Sequence, residues 1–207
     1  RPDQAVPTRN LSELRKRFRT QRTRRDQMSS PAIREFLEGL RAERVIFHPD
    51  PGNAGDALIA LATFELFEEV GVNWEFHRDD LNVDGRVVLY GGGGNLNPLY
   101  DDCADFIEKV HRRAARFILL PHTVMGRSDL LSTLGPNVDI LCRERVSLEY
   151  VRRAAPHVRA ELVEDLAFTL DPEAIVRREL SSFKGGADGS GGFGDRRMFK
   201  YVMQRKL

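Results

Sequence analysis

Val45-Ile46-Phe47-His48-Pro49-Asp50-Pro51-Gly52-Asn53-Ala54-Gly55-Asp56-Ala57-Leu58-Ile59 reads as a strand that hands over to a helix through a glycine turn. The apolar run belongs to a strand over Arg44 to His48. The segment from Ala57 to Val70 is apolar on most of its circumference, as a helix lying against a sheet must be. The same arrangement is expected once more, where Val87-Val88-Leu89-Tyr90 runs into Gly91-Gly92-Gly93-Gly94-Asn95-Leu96-Asn97. Glycine permits positive φ and lets another group approach the backbone closely. A turn of this kind at a helix start also points free N–H groups at whatever lies above it. Two such turns in one α/β unit predict a floor for an anionic ligand.

Outward from these turns, strand and helix patterns alternate. Asn73 to His77 places Trp74 and Phe76 on one face of a second strand, and Arg86 to Tyr90 is a third. Leu99, Cys103, Phe106, Ile107, Val110 and Ala114 recur at helical spacing, which puts Cys103 on a buried stripe in a packing role. Arg116 to Leu120 is a fourth strand, stopped by Pro121, and Val138 to Cys142 a fifth. Glu144 to Ala155 is helical, and a last strand begins at Glu161-Leu162-Val163. This alternation predicts an α/β, doubly wound, mostly parallel Rossmann-like sheet. Ligands of such sheets bind beyond the carboxyl ends of the strands, where His48, Asn53, Asp56, Asn95, His122 and Arg143 fall.

The chain has 207 residues, 41% of them hydrophobic and 30% charged, an ordinary balance for a water-soluble domain. No apolar run is long enough to span a membrane. Two cysteines, Cys103 and Cys142, are too few for a disulfide framework and fit a reducing cytoplasm. The net charge of +1 hides an asymmetry: residues 1–25 hold nine Arg or Lys against Asp3 and Glu13. The expected organisation is a basic arm over residues 1–40 and a Rossmann-like domain over 41–183. A Gly-rich linker with a short basic tail follows over 184–207. The arm is a candidate for peripheral contact with an anionic membrane, whereas the acidic remainder argues against nucleic acid as the main ligand. No metal site is expected.

Neither turn is a standard nucleotide loop. Gly91 and Gly93 begin a Gly-x-Gly-x-x-Gly pattern that lacks its last glycine, and no Gly-Lys-Ser/Thr loop exists for a P-loop. Five segments in order do resemble the polysaccharide pyruvyl transferases. Gly52-Asn53-Ala54-Gly55-Asp56 is similar to that family's Gly-Asn-x-Gly-Asp turn, and Gly91-Gly92-Gly93-Gly94-Asn95-Leu96 to its Gly-Gly-Gly-x-Leu segment. Leu120-Pro121-His122-Thr123 stands where the family has Pro-Gln. Arg143-Glu144-Arg145-Val146-Ser147 resembles its Arg-Asp-x-x-Ser, and Asp165-Leu166-Ala167-Phe168 its Asp-Pro-Ala-Phe. The likeness spans about residues 44 to 171.

The resemblance implies transfer of the enolpyruvyl unit of phosphoenolpyruvate onto a sugar of a polysaccharide or its lipid-linked precursor. A pyruvate ketal forms, as in exopolysaccharide biosynthesis. It implies two facing Rossmann-like domains of GT-B type, of which this chain would supply the first, with the family's histidine acid in the second. No cofactor is implied beyond phosphoenolpyruvate as donor. The substrate-binding candidates are Asn53, Gly55, Asp56, Gly92, Gly93, Asn95 and Arg143, with Arg143 as the donor-binding arginine. The catalytic group is unassigned, and His122 and His48 are weak candidates. Two other readings stay open: a sugar-nucleotide glycosyltransferase of similar fold, and a non-catalytic binding remnant.

Overall fold

The computed structural model describes residues 31–171. The arm over 1–30 and the linker and tail over 184–207 lie outside the described residues. Helix α1 (Pro31–Glu38) precedes β1 (Arg44–His48), α2 (Ala54–Val70), β2 (Asn73–Phe76), β3 (Val87–Tyr90) and β4 (Gly93–Leu96). Then come α3 (Asp102–Val110), β5 (Arg116–Val124), α4 (Ser128–Thr133), β6 (Val138–Cys142), α5 (Arg145–Ala154), β7 (Arg159–Leu162) and a 3-10 turn (Leu166–Thr169). The strands lie in the order β2-β1-β3-β5-β6-β7, with β4 paired to β5 alone, and every pairing is parallel. The predicted doubly wound α/β sheet is therefore observed.

A central parallel strand must be apolar on both faces, because helices cover both. Alternation divides each strand accordingly. Ile46, Val88, Tyr90, Phe117, Leu119, Ile140 and Cys142 meet α3, α4 and α5 on one face. Val45, Phe47, Val87, Leu89, Ile118, Leu120 and Leu141 meet α1, α2 and the 3-10 turn on the other. Cys103, Phe106, Ile107, Val110 and Ala114 are buried as their spacing predicts. The first helix lies within the segment read as arm: Ile33, Leu37 and Leu40 are buried against the second face, so the folded body includes residues 31–40 as well.

Three local expectations are corrected. Pro121 does not stop its strand; β5 runs nine residues through it. Its missing N–H is tolerated because β5 changes neighbours there, pairing with β3 up to Leu119 and with β4 from His122. The register against β6 also shifts between Leu119 and His122. The second glycine run does not open a helix either, since β4 follows it and α3 starts only at Asp102. Leu99 is 80% exposed rather than on the stripe of α3. Asn97 resets the phase there, its Oδ1 accepting from Leu99 N at 2.8 Å and its Nδ2 donating to Gly94 O at 2.7 Å.

The chain runs from β1 to β2 on one side and returns to β3 on the other. The order of strands thus reverses between β1 and β3, which opens a crevice at their carboxyl ends.

Candidate functional site

At the first turn, Asn53 is the N-cap of α2. Its Oδ1 accepts from Gly55 N at 2.7 Å, and Asp56 Oδ2 accepts from Asn53 N at 2.5 Å, a complete capping box. Gly52 is required because Asp56 folds over it; a Cβ at position 52 would sit 1.6 Å from Asp56 Oδ2. The side chains of Asn53 and Asp56, both substrate-binding candidates, are thus engaged with each other's backbone. The Asp56 carboxylate also places negative charge at the helix start, where the macrodipole favours it.

The second run works differently. None of Gly91 to Gly94 has positive φ; among the described residues that conformation occurs at Gly71, Gly85 and Gly126. Each is glycine because another group occupies the space of its missing side chain. A Cβ at 91 would lie 2.6 Å from Asp50 N, at 92 it would lie 2.9 Å from Pro121 O, at 93 2.3 Å from Asp50 Oδ2, and at 94 3.0 Å from Arg143 Nη2. The run therefore receives three charged or polar side chains of the crevice: Asp50, His122 and Arg143.

His122 is wholly buried, and its Nε2 faces Asn95 N at 3.2 Å, Leu96 N at 3.3 Å and Asn95 Oδ1 at 3.0 Å. Burial, with the nearby Arg143 charge, pushes it down to about 3, so it is neutral at physiological pH. A neutral ring closed off from solvent is a cross-brace for β4, which removes His122 as an acid. His48 stands apart, 9% exposed and stacked on Phe106 at 4.2 Å between centroids.

Arg143 leaves the carboxyl end of β6. Its Nε donates to Thr123 Oγ1 at 2.7 Å and its Nη1 to Asp165 Oδ2 at 2.9 Å. Thr123 passes a hydrogen bond to Glu144 at 3.2 Å, Ser147 donates to the same carboxylate, and Val124 N donates to Ser147 Oγ at 2.8 Å. The residues resembling Arg-Asp-x-x-Ser and Asp-Pro-Ala-Phe thus form one network that aims the guanidinium. Nη2, beside Gly94, is the arm engaged in no hydrogen bond or ion pair among the described residues. Its side chain is 29% exposed, so this arm can meet an oxyanion.

Asp50, which the sequence reading passed over, lies at the centre. It is 2% exposed and accepts from Asn95 Nδ2 at 2.8 Å. Burial, reinforced by Asp56 and Asp102, raises it to about 7, with hydrogen bonding from Tyr90 and Asn95 offsetting part of the rise. The signal was available: a single Asp fixed between Pro49 and Pro51 directly after a strand, with four glycines in a row elsewhere to make room.

The structure therefore joins Gly92, Gly93, Asn95 and Arg143 around His122 and Asp50. Asn53, Gly55 and Asp56 stand at the head of α2, and Ile59 one turn further on is the side chain beside Gly92. A separate cavity of about 810 Å³ opens over His48, Pro51, His77 and Phe106. Asp79, Asp102, Asp105 and Lys109 also line it. No group of three or more His, Cys, Asp or Glu among the described residues is arranged to hold a metal ion. No helix among them is long and apolar enough to cross a membrane.

The chain is similar to a solved structure described as a functional uncharacterized protein, KP1_0663, from Klebsiella pneumoniae subsp. pneumoniae NTUH-K2044. The identity is 27% and the TM-score 0.64, over 71% of this chain and 59% of that one. The chain thus spans about three fifths of the length of that relative. No curated protein matches it. The sequence profile described as "Polysaccharide pyruvyl transferase" matches residues 53–198, which cover the first glycine turn from Asn53, the whole second run, the Arg143 network and Asp165. On that match, the chain belongs to the polysaccharide pyruvyl transferase family.

Proposed function

We propose that this chain carries the donor-binding half of an enzyme that moves the enolpyruvyl unit of phosphoenolpyruvate onto two hydroxyls of a saccharide. In that reaction a hydroxyl oxygen adds to C2 of the enol as the methylene carbon takes a proton. A second hydroxyl then displaces phosphate and closes the ketal. The observation that carries the reading is the unspent Nη2 of Arg143, held over Gly94 by Thr123 and Asp165. It is a fixed donor suited to the phosphate or carboxylate of the donor substrate.

The cavity over His48 and Phe106 suits the other reactant. Its lining mixes acceptors, Asp79, Asp102 and Asp105, with donors, Lys109 and Arg113, a polar set suited to sugar hydroxyls, which both donate and accept. A proton donor for the methylene carbon is not supplied by His122, and a facing domain is the natural source. Of the large exposed apolar side chains among the described residues, Leu58, Leu99, Tyr100, Met125, Val146 and Phe168 follow carboxyl ends of strands and Leu162 ends β7, which is the rim such a domain would cover.

An open half-cleft leaves the anion facing water, where a close ion pair is worth about 1 kcal/mol instead of about 4. The chain alone should bind phosphoenolpyruvate with Kd on the order of 1 mM. Phosphorus NMR of phosphoenolpyruvate titrated with the chain tests this: broadening that disappears in Arg143→Ala supports the reading. Broadening by a nucleoside diphosphate, with none for phosphoenolpyruvate, would favour the glycosyltransferase. In an active enzyme, Arg143→Lys should lower kcat/KM by an amount equivalent to about 1–3 kcal/mol, because an ammonium cannot be held by both Thr123 and Asp165 and still reach the anion.

A further inference from the structure

The crossover from β2 to β3 lacks the helix that parallel strands usually place between them. Residues 77–86 pass over β1 as turns, with Leu81 and Val83 packed on the core. The side of α3 that a crossover helix would cover is therefore open, and the cavity of about 810 Å³ is the space left there. Its shape follows from the residues of α3 that line it. Asp102, Asp105, Phe106, Lys109 and Val110 fall at i, i+3, i+4, i+7 and i+8, one face of the helix. From Asp102 to Val110 the helical rise makes that wall about 12 Å long. The cavity is thus a groove, entered beside His48 at the crevice and running down α3 towards Arg113.

The lining offers both kinds of surface that a pyranose presents. Phe106, Val110 and Val83 give it a buried apolar floor for the C–H face of a ring. Asp79, Asp102, Asp105 and Lys109 are exposed above it, and none of these four side chains makes a hydrogen bond or ion pair among the described residues. Their neighbours Asp80, Asp84 and Asp101 are each tied to an arginine: Arg78, Arg113 and Arg127. Carboxylates accept, an ammonium donates, and a sugar hydroxyl does both.

The groove contains no residue of the Arg143 network and none of residues 91–97. The Arg143 guanidinium lies over Gly94 of β4, which pairs with β5, whereas His48 ends β1 and β3 stands between β1 and β5. Two strand spacings, about 10 Å, separate the head of the groove from that guanidinium, and a single pyranose ring spans about one.

We infer that the groove along α3 is a subsite for the part of a saccharide chain beyond the sugar that reacts, which makes the preferred acceptor an oligosaccharide several rings long. The inference rests on the reading of Arg143 as the donor contact. Asp105 and Lys109 stand too far from that contact to touch the reacting hydroxyls. They therefore set KM for long acceptors and leave kcat alone.

The test titrates the nitrogen-15-labelled full chain with glucose, galactose and mannose and with linear oligomers of each, following backbone amides by NMR. In at least one series Kd should fall about tenfold from monomer to tetramer, which one or two net hydrogen bonds supply. The shifts should run along α3 from Asp102 to Val110. Asp105→Asn combined with Lys109→Ala, both at exposed helical positions, should return the tetramer to the Kd of the monomer with the circular dichroism spectrum unchanged. Binding that does not depend on length, shifts confined to Arg143 and residues 91–97, or silence of α3 across all three series overturns the inference.

Phosphoenolpyruvate separates this outcome from that of the reaction. If oligosaccharides shift α3 while phosphorus NMR shows no response to phosphoenolpyruvate, the pyruvyl-transfer reading falls and the groove stands as a saccharide site. If phosphoenolpyruvate binds and α3 stays silent, the groove falls alone. In an active enzyme the double variant should raise KM for the tetramer about tenfold with kcat unchanged. An equal loss with monomer and tetramer would overturn the subsite.

Discussion

The two glycine runs look alike in sequence and do opposite work. In Gly52-Asn53-Ala54-Gly55-Asp56 the turn closes on itself: Asn53 and Asp56 cap each other's backbone, and Gly52 lies under the Asp56 carboxylate. In Gly91-Gly92-Gly93-Gly94 the turn is open to the rest of the protein. Asp50, Pro121 and Arg143 fill the places where side chains would be. Glycine serves close approach in the second run rather than an unusual backbone angle, since no residue there has positive φ. A glycine pattern therefore marks a crowded backbone, and what crowds it must be found elsewhere in the chain. Here it is the protein's own backbone at Gly91 and Gly92 and its polar side chains at Gly93 and Gly94, with one guanidinium arm left over.

The sharpest way to break this comparison is to add one methyl group to each run. Gly91→Ala would set a Cβ 2.6 Å from Asp50 N and 3.2 Å from Pro49 Cα, both backbone atoms that cannot swing away. Separating β1 from β3 at the crevice should cost about 3 kcal/mol or more. The urea midpoint should fall accordingly, or soluble protein should be lost. A variant as stable as wild type would show that the crevice is looser than its geometry implies.

A second effect comes from charge. On folding, Asp50 rises from 3.8 to about 7 and His122 falls from 6.5 to about 3. Between about pH 4 and 6.5 the unfolded chain holds the shared proton on His122 and the folded chain holds it on Asp50. The two states then bind equal numbers of protons at these groups, and the pair adds no slope to stability there. Removing one partner exposes the other. In Asp50→Asn only His122 remains. The unfolded state binds more protons below the imidazole's ordinary value, so stability should fall as pH drops from about 6.5 towards 3. In His122→Gln only Asp50 remains. The folded state binds more protons above the ordinary carboxyl value, so stability should fall as pH rises from about 4 to 7. At 1.36 kcal/mol per unit, the slopes sum to about 4 kcal/mol for Asp50 and about 5 kcal/mol for His122 at most. Denaturation midpoints of both variants across this range should tilt in opposite directions; parallel curves would refute the assignment.

Much of the fold was legible in the sequence because parallel strands buried on both faces leave unmistakable apolar runs. Val87 to Tyr90 and Val138 to Cys142 are wholly buried and were read within one residue of their observed ends. The errors came where tertiary contacts overrode local signals. Pro121 reads as a stop, yet it sits where β5 trades one neighbour for another and no ladder bond is missed. Leu99 fits the period of α3, but the Asn97 side chain turns the chain before the helix can start. Of the candidate site, Arg143 was legible, through the family resemblance, as a donor-binding arginine at the end of a strand. Asp50 carried only a local mark, an Asp between two prolines after a strand, and its meaning depends on β3, β4 and α3 arriving around it, which no local window contains.

The smallest expected effects lie in the first run, and they sharpen the contrast from the other side. Asn53→Ala removes the acceptor for Gly55 N but leaves Asp56 able to accept from the backbone at position 53. Half a capping box should cost about 1 kcal/mol, the usual value for an N-cap. Gly55→Ala is the informative partner. Position 55 is the second residue of α2, and a Cβ there would meet only Asn53 Oδ1, at 3.1 Å, the far end of a side chain able to shift by tenths of an ångström. Alanine is the better helix former by up to about 1 kcal/mol, and it lowers the entropy of the unfolded chain. Gly55→Ala should therefore leave the thermal midpoint unchanged or slightly raised, whereas Gly91→Ala, the same chemical change, should be severe. Suppose Gly55→Ala left stability intact but weakened the phosphorus NMR response to phosphoenolpyruvate. The first turn would then be open to ligand after all, its glycine kept for a bound anion rather than for the fold. If binding is unchanged, the anion is held from the Arg143 side alone.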